Sequence, residues 1–284
     1  MLNCFLCNCS KHKTRPGTVR DNKSLKIFEC CKCGLVFLSQ DSHIDDNFYE
    51  ESNMHNEFDF SKWRKQTLED DTRRFEFIKN FITNKKILDF GSGNGGFLKQ
   101  AKEVCKDVMG LEIESAVTNY YEKDNIKLSN NLETVDEKFD VITSFHVIEH
   151  IKEPISILEK LNNLLKENGK IIIEVPNAND ALLTIYENEA FSNFTYWSCH
   201  LYLYTHHTLN LLAKKAGLKV EFIKHIQRYP LSNHLYWLSK DKPGGHEKWG
   251  NFLDSKELTN AYENQLASLQ ATDTIIACLT KETI

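Results

Sequence analysis

The sequence predicts a doubly wound α/β domain with a mostly parallel sheet, joined to a small cysteine-rich unit at its N-terminal end. Three observations carry this reading. From residue 86 onward short apolar runs alternate with amphipathic stretches, the pattern of βα units whose strands are covered on both faces. One run, Lys86-Ile87-Leu88-Asp89-Phe90, passes directly into the glycine-rich turn Gly91-Ser92-Gly93-Asn94-Gly95-Gly96. The first 33 residues hold six cysteines, four of them as Cys4-x-x-Cys7 and Cys30-x-x-Cys33.

Composition bounds the class of protein. With 284 residues, 41% hydrophobic and 26% charged, the chain can bury a large α/β core and still carry an appendage. It contains no run of 18 apolar residues, and Met1 to Cys7 lacks the apolar stretch of a signal peptide, so a cytoplasmic protein without a membrane span is expected. In that setting clustered cysteines hold metal more often than they form disulfides. The formal net charge of −5 conceals an asymmetry: residues 1–33 hold seven of the 35 basic and two of the 40 acidic residues, leaving 28 basic and 38 acidic. An acidic body argues against a nucleic-acid partner.

The elements follow in order. The two Cys-x-x-Cys knuckles offer four thiolates to one tetrahedral ion, and Gly34 suits the tight turn after Cys33. Residues 1–40 therefore read as a zinc ribbon in which Cys4, Cys7, Cys30 and Cys33 hold a structural Zn2+, with Cys9 and Cys31 admitting a shifted register. Residues 41–84 read as a linker rich in aromatics (Phe48, Tyr49, Phe58, Phe60, Trp63), followed by a helix over 68–82 with Leu68, Phe75, Ile78 and Ile82 on one side. The core, 85–226, alternates a strand at 86–90, a helix at 95–104, a strand at 107–112, a helix at 114–122, a short strand near 126 and a buried strand at 139–144. Pro154 opens a helix running to Lys166, Asn168-Gly169 closes it, and 170–175 is another buried strand. Thr205 caps a helix ending near Gly217, and 218–226 is a strand. Residues 227–271 form an insertion with a helix over 255–270, which reads as a lid or as an oligomer contact that would make a homodimer. Residues 272–284 return as the final strand.

In an open α/β sheet the ligand lies beyond the carboxyl ends of the strands, beside the first one. Glu112, at the end of the second core strand, is placed to accept two ribose hydroxyls. Gly91, Gly93 and Gly96 also match GxGxxG, a weak signal shared with nicotinamide enzymes. Asp89 is more telling, because a carboxylate inside a strand end is costly unless it organises the loop or meets a cation.

Residues 85–177 closely resemble class I S-adenosylmethionine-dependent methyltransferases. "ILDFGSGNG" is similar to their first motif, "GLE" to their ribose-binding acid, "FDVITSFHVIEH" to their fourth strand and "LKENGKIIIEVPN" to the strand after it. The resemblance implies a Rossmann-like fold with a seven-stranded sheet and S-adenosylmethionine as methyl donor. It makes the match at Gly96 incidental. Asp89, Gly91, Ser92, Gly93, Gly95 and Glu112 would hold the donor, with Phe145 and His146 beside it and Asn131 and Leu132 around the adenine. Further out, "CKCGLVFLSQ" followed by "NFYEE" resembles the zinc-ribbon start of methyltransferases from sugar and surface-polysaccharide pathways, and "HLYLYTHHTLNLLAKKAGL" their segment before the sixth strand. A small polar acceptor follows, a nucleotide-linked sugar or another surface-glycan precursor. The competing readings are an RNA base methyltransferase with a basic zinc module, a cofactor-fold binding protein without catalysis, and a nicotinamide oxidoreductase.

Methyl transfer is an in-line displacement, so orientation supplies much of the barrier reduction, roughly 7–11 kcal/mol in favourable cases. A base that takes the proton of a hydroxyl acceptor adds a factor of about 10² to 10⁴. The histidines available are His146, His150, His200, His206 and His207. His200 and His146 are the expected catalytic residues, and Glu149 and His150 read as structural. Asn177 and Tyr202 are expected to bind substrate, the latter beside His200 on an extended segment. Trp63 and Tyr49 would cover the methionine end of the donor, and His234 and His246 read as surface residues.

Overall fold

A computed structural model of the chain describes residues 3–44 and 60–282. In chain order the elements are β1 (His12–Thr14), β2 (Ile27–Cys30), β3 (Val36–Leu38), α1 (Phe60–Ile82), β4 (Lys86–Phe90), α2 (Gly96–Ala101), β5 (Asp107–Leu111), α3 (Thr118–Lys123), β6 (Lys127–Ser129), β7 (Phe139–Phe145), α4 (Pro154–Leu164) and β8 (Leu165–Pro176). Then follow α5 (Ala181–Thr184), α6 (Glu189–Thr195), β9 (Tyr202–Leu203), α7 (His206–Lys215), β10 (Leu218–Ile226), α8 (Leu231–Lys240), α9 (Gly245–Leu253), α10 (Lys256–Ser268) and β11 (Thr274–Lys281).

The main sheet has seven strands in the order β10-β11-β8-β7-β4-β5-β6. Neighbours from β8 to β6 are parallel, and β11 runs antiparallel to both β8 and β10. Alternate residues of each strand bury on opposite faces, as the two-residue period requires. Ile87, Val141, Ile172 and Ile276 pack with Phe75, Ile78 and Leu98 of α1 and α2, whereas Leu88, Ile142, Ile171 and Ile173 pack with Leu158, Leu161, Leu209 and Leu212 of α4 and α7. The sheet is therefore doubly wound, as the sequence predicts.

A second, antiparallel sheet joins β1, β2, β3 and β9. Its fourth strand comes from the far half of the chain: Val36 pairs with Leu203 and Phe37 with Tyr202. Cys4, Cys30, Cys33, Leu35 and Phe37 belong to the same apolar cluster as Leu88, Ile142 and Ile173, so the cysteine unit continues into the main core.

Several boundaries differ from the sequence expectation. Helix α1 begins at Phe60, eight residues before Leu68, because its first turns have tertiary partners; the Phe60 ring stacks on Tyr120 with centroids 3.3 Å apart. Strand β8 starts at Leu165, pairs there with Phe139 and shifts register before Lys170 meets Val141, so Asn168-Gly169 lies in an irregular strand instead of closing a helix. Thr205 does cap α7, its hydroxyl accepting the Thr208 N–H. The insertion contains α8 and α9 besides the expected α10. Among the described residues no helix is long and apolar enough to cross a membrane.

Candidate active site

The glycine turn after β4 is held from several sides. Gly91 has φ +73°, and a Cβ there would collide with Val147, so both backbone conformation and space require glycine. The Gly93 N–H donates to Glu112 Oε2 at 2.7 Å, and the Glu114 N–H donates to Oε1 of the same carboxylate at 3.0 Å. Burial raises the Glu112 pKa and these N–H groups oppose the rise. The Tyr121 hydroxyl donates to Ser92 Oγ at 2.7 Å, and its ring would lie 3.0 Å from a Cβ on Gly95. Arg64 donates to the Asn94 carbonyl at 2.9 Å and pairs with Asp124 at 2.5 Å. Gly96 has a packing role of its own: the Asp71 carboxylate lies where its Cβ would stand, so a side chain there would have to displace Asp71.

Asp89 lies at the carboxyl end of β4, in register with Gly110 on one side and Thr143 on the other. The Thr143 hydroxyl donates to its Oδ1 at 2.6 Å. Burial pushes the carboxyl up to about 7, against the pull of Thr143 and Arg74.

One strand over, His146 follows β7 with φ +55°, a left-handed conformation rare outside glycine. Its N–H donates to the Glu174 carbonyl at 2.8 Å. The imidazole is held at both nitrogens: Nδ1 is 3.1 Å from Glu149 Oε1, and Nε2 is 3.2 Å from both Glu174 Oε1 and Arg228 Nη1. Burial and Arg228 oppose its protonation, but the hydrogen bonds to two carboxylates outweigh them and raise its pKa. Glu174, fully buried in β8, receives Arg73 at 2.9 Å and Arg74 at 2.7 Å, which hold its carboxyl well below the usual range despite burial. Arg228, just past β10, also pairs with Asp70 of α1, so the start of the insertion reaches across the carboxyl ends of the strands. Sequence reasoning missed Asp70, Arg73, Arg74, Glu174 and Arg228. One signal was available: Glu174 interrupts the apolar run Ile171 to Val175, and a charge in a buried strand demands partners.

Other expected residues are used differently. His200 lies among aromatic rings, edge-on to His150 at 4.8 Å and to Trp197 at 5.8 Å between centroids. Burial, with His150 beside it, pushes its pKa down to about 3. The chain is not extended at His200, whose N–H donates to the Trp197 carbonyl, so the two-residue spacing does not by itself set His200 and Tyr202 on one face. The Tyr202 hydroxyl donates to the Lys152 carbonyl at 3.2 Å and the ring packs on Phe5. Asn177 is not open to a ligand: Nδ2 donates to the carbonyls of Thr272 at 2.7 Å and Gln270 at 3.0 Å, and Oδ1 accepts the Asn179 N–H. It pins the end of β8 to the start of β11. Asn131 turns its Oδ1 to the Glu133 N–H at 2.9 Å, capping a short turn in which Leu132 is half-buried. Phe145 packs edge-on to Phe97, with Arg74 over its face. Trp63 lies against Gly93, 3.3 Å from where its Cβ would be. Tyr49 lies outside the described residues. His206 meets His225 at 3.3 Å and His207 is exposed. His234 is buried, not a surface residue, with Nδ1 2.7 Å from the Tyr262 hydroxyl, whereas His246 is exposed.

The four expected cysteines converge: Cys4 and Cys33 Sγ are 3.5 Å apart, Cys7 and Cys30 Sγ 3.4 Å, and all four lie within 4.8 Å of one another. A tetrahedron of sulfurs about zinc at 2.3 Å has edges of roughly 3.8 Å, so the donor set fits such an ion. Cys31 is exposed and Cys9 Sγ is engaged with Lys11, outside that group.

A parallel sheet whose last strand is reversed, a glycine turn after its first strand and an acid closing its second define a Rossmann-like methyltransferase. A family model described as a methyltransferase domain matches residues 60–222, more than half of the chain, which belongs to that family and is an S-adenosylmethionine-dependent methyltransferase. Among curated proteins it is 27% identical over 188 residues to a ubiquinone biosynthesis O-methyltransferase of Hydrogenovibrio crunogenus, covering 57% of this chain and 77% of that protein. It is 31% identical over 113 residues to the protein of that name from Glaesserella parasuis, covering 34% of this chain and 48% of the relative. The fold is shared with an S-adenosylmethionine-dependent methyltransferase of Thermotoga maritima (TM-score 0.51, 18% identity, 83% of this chain and 98% of that one). It is also shared with mitomycin 7-O-methyltransferase (TM-score 0.53, 12% identity, 83% and 60%).

The loop fits the donor. The Trp63 ring covers the side of Gly93 where a Cβ would stand, and Glu112 lies beside the loop at the end of β5, where a carboxylate can accept a ribose diol. Asp89 supplies a buried carboxylate at the end of β4. The donor's sulfonium carries the methyl group already activated for displacement, and the protein is left to orient the acceptor and take its proton.

Proposed function

We propose that this methyltransferase acts on an oxygen of a small polar acceptor and that His146 receives the hydroxyl proton. The carrying observation is the His146–Glu149 pair at the carboxyl end of β7, the strand next to Asp89 and the donor loop. A carboxylate on Nδ1 fixes the tautomer that leaves the lone pair on Nε2, the arrangement that suits a histidine to act as base. That lone pair receives the Arg228 Nη1–H at 3.2 Å with Glu174 Oε1 beside it, so an acceptor hydroxyl reaches Nε2 by displacing the guanidinium. Transfer to oxygen is in keeping with the relatives named O-methyltransferases.

The acceptor is a nucleotide-linked sugar or another surface-glycan precursor. Supporting this, the two outer segments that resemble sugar-pathway enzymes form one unit, β3 of the cysteine module pairing with β9 just ahead of α7. Cys4, Cys7, Cys30 and Cys33 hold a structural Zn2+ in that unit. A second reading comes from the relatives' printed names: the acceptor is an intermediate of ubiquinone biosynthesis. Labelled methyl transfer, screened over nucleotide sugars and ubiquinone precursors, separates the two. Sugar methylation at oxygen is expected. Methylation of quinone precursors alone overturns the acceptor, and methylation at nitrogen or carbon alone overturns the role of His146.

A further inference from the structure

A second set of metal-binding side chains lies apart from the four cysteines. His150, in the turn after β7, and Cys199 and His200, in the segment leading to β9, bring one ligand atom each within 4.8 Å of one another. The His150 Nδ1 is 2.9 Å from the Cys199 carbonyl oxygen. A carbonyl only accepts, so Nδ1 carries the proton and Nε2 keeps its lone pair. That backbone tie on the opposite nitrogen is how metal-binding histidines are ordinarily oriented.

Glu149 supplies an independent observation. Its side chain is fully buried, Oε1 meets His146, and Oε2 has no hydrogen-bond partner among the described residues. A buried anionic oxygen without a donor is costly unless a cation is near. Its charge bears on His150 and His200 as well as on His146. A divalent ion between His150, Cys199 and His200 would meet one negative charge from the Cys199 thiolate, with the Glu149 carboxylate adjacent to His150 in the chain.

We infer that His150, Cys199 and His200 form a second metal site, selective for a borderline divalent cation such as Zn2+. Two imidazoles and one thiolate are poor ligands for Mg2+ or Ca2+ and good ones for zinc. Three protein ligands leave a fourth position open, unlike the closed four-thiolate site. Binding displaces the Cys199 thiol proton to solvent, and no electron transfer is involved. The ion clamps the 196–204 segment onto the turn after β7 and fixes Glu149, the residue that orients His146.

Metal content is the test. Protein purified from zinc-supplemented medium without chelator is expected to carry two zinc ions per chain, and Cys199→Ser, His150→Gln and His200→Gln each to carry one. After a mild chelator has stripped the open site, Co2+ should bind one equivalent and give a thiolate-to-cobalt charge-transfer band that Cys199→Ser abolishes. Folding of each variant is checked by circular dichroism. If all three variants prove unfolded, the Zn2+ and Co2+ titrations of the wild type decide alone. A wild type that carries one zinc and takes up no second equivalent of either ion overturns the site. So does a second equivalent that persists unchanged in all three folded variants.

Discussion

His146 is tied by its backbone and by both ring nitrogens, and those ties hold it in a conformation it would otherwise leave. A non-glycine residue at positive φ costs of order 1–3 kcal/mol, offset here by the bond to the Glu174 carbonyl and by the two carboxylates on the ring. If His146 is the base, His146→Ala should reduce turnover by about 10² to 10⁴ while calorimetry shows unchanged S-adenosylmethionine affinity. The pH dependence gives a sharper check. The base must be neutral to act, and His146 loses its proton above the ordinary value of 6.5, so activity should rise with pH through that raised pKa. Glu149→Gln removes an anion that favours the imidazolium, and the rising limb should move to lower pH. A limb that stays in place would show that another group takes the proton. Glu112 makes a separate prediction at the donor loop. Glu112→Gln keeps the shape but discards the charge facing the Gly93 N–H, and should weaken donor binding by about 1–3 kcal/mol, roughly 5- to 150-fold in Kd.

At the scale of elements, Asn177 shows why a residue can be placed well and assigned wrongly. Its position after a strand end near the ligand-binding edge is legible in the sequence. Its partners, the carbonyls of Gln270 and Thr272, lie more than 90 positions away and become visible only once β11 has folded against β8. Asn177→Ala should therefore cost about 1–3 kcal/mol by leaving those carbonyls short of a donor, seen as a lower denaturation midpoint with the acceptor KM unmoved. The same reasoning covers Arg74, whose role depends on meeting Glu174 a hundred residues later. Removing one partner of a buried pair costs about 3–5 kcal/mol when no other cation remains; here Arg73 remains, so Arg74→Met should lie toward the lower end. The sign with pH is fixed. Glu174 has a folded pKa held well below 4.5, so its contribution is present above the unfolded value and disappears as pH falls through the folded one. Arg74→Met raises the folded pKa and should move acid unfolding to higher pH. By contrast, the strands β4, β5, β7 and β10, the Thr205 cap and the Cys-x-x-Cys pairs were legible because each is specified by adjacent residues: apolar runs, a capping hydroxyl, a fixed ligand spacing. The start of α1, the two-residue β9 and the Arg–Glu–His network were not, because each is specified by a distant partner.

Across the whole molecule, β9 decides how the cysteine unit relates to the methyltransferase core. A ribbon of 40 residues read from sequence alone would be an appended module, free to unfold by itself. Strand β3 instead pairs with β9, and the apolar residues around Cys4, Cys30 and Cys33 are continuous with Leu88 and Ile142 of the main sheet. Arg15 also reaches the Ala178 carbonyl, just past β8. Loss of an ion held by the four cysteines should then be felt throughout. Cys7→Ser removes one thiolate of the four with a near-isosteric change at a half-buried position beside the core, and it is expected to lower the melting temperature in a single cooperative transition. For a domain of this size each kcal/mol lost lowers the midpoint by about 2–4 °C. Calorimetry of the wild type and of Cys7→Ser distinguishes the two architectures. One transition shifted downward means that the cysteine unit folds with the core; an unshifted main transition preceded by a small separate one would mean that the contacts through β9 do not couple them.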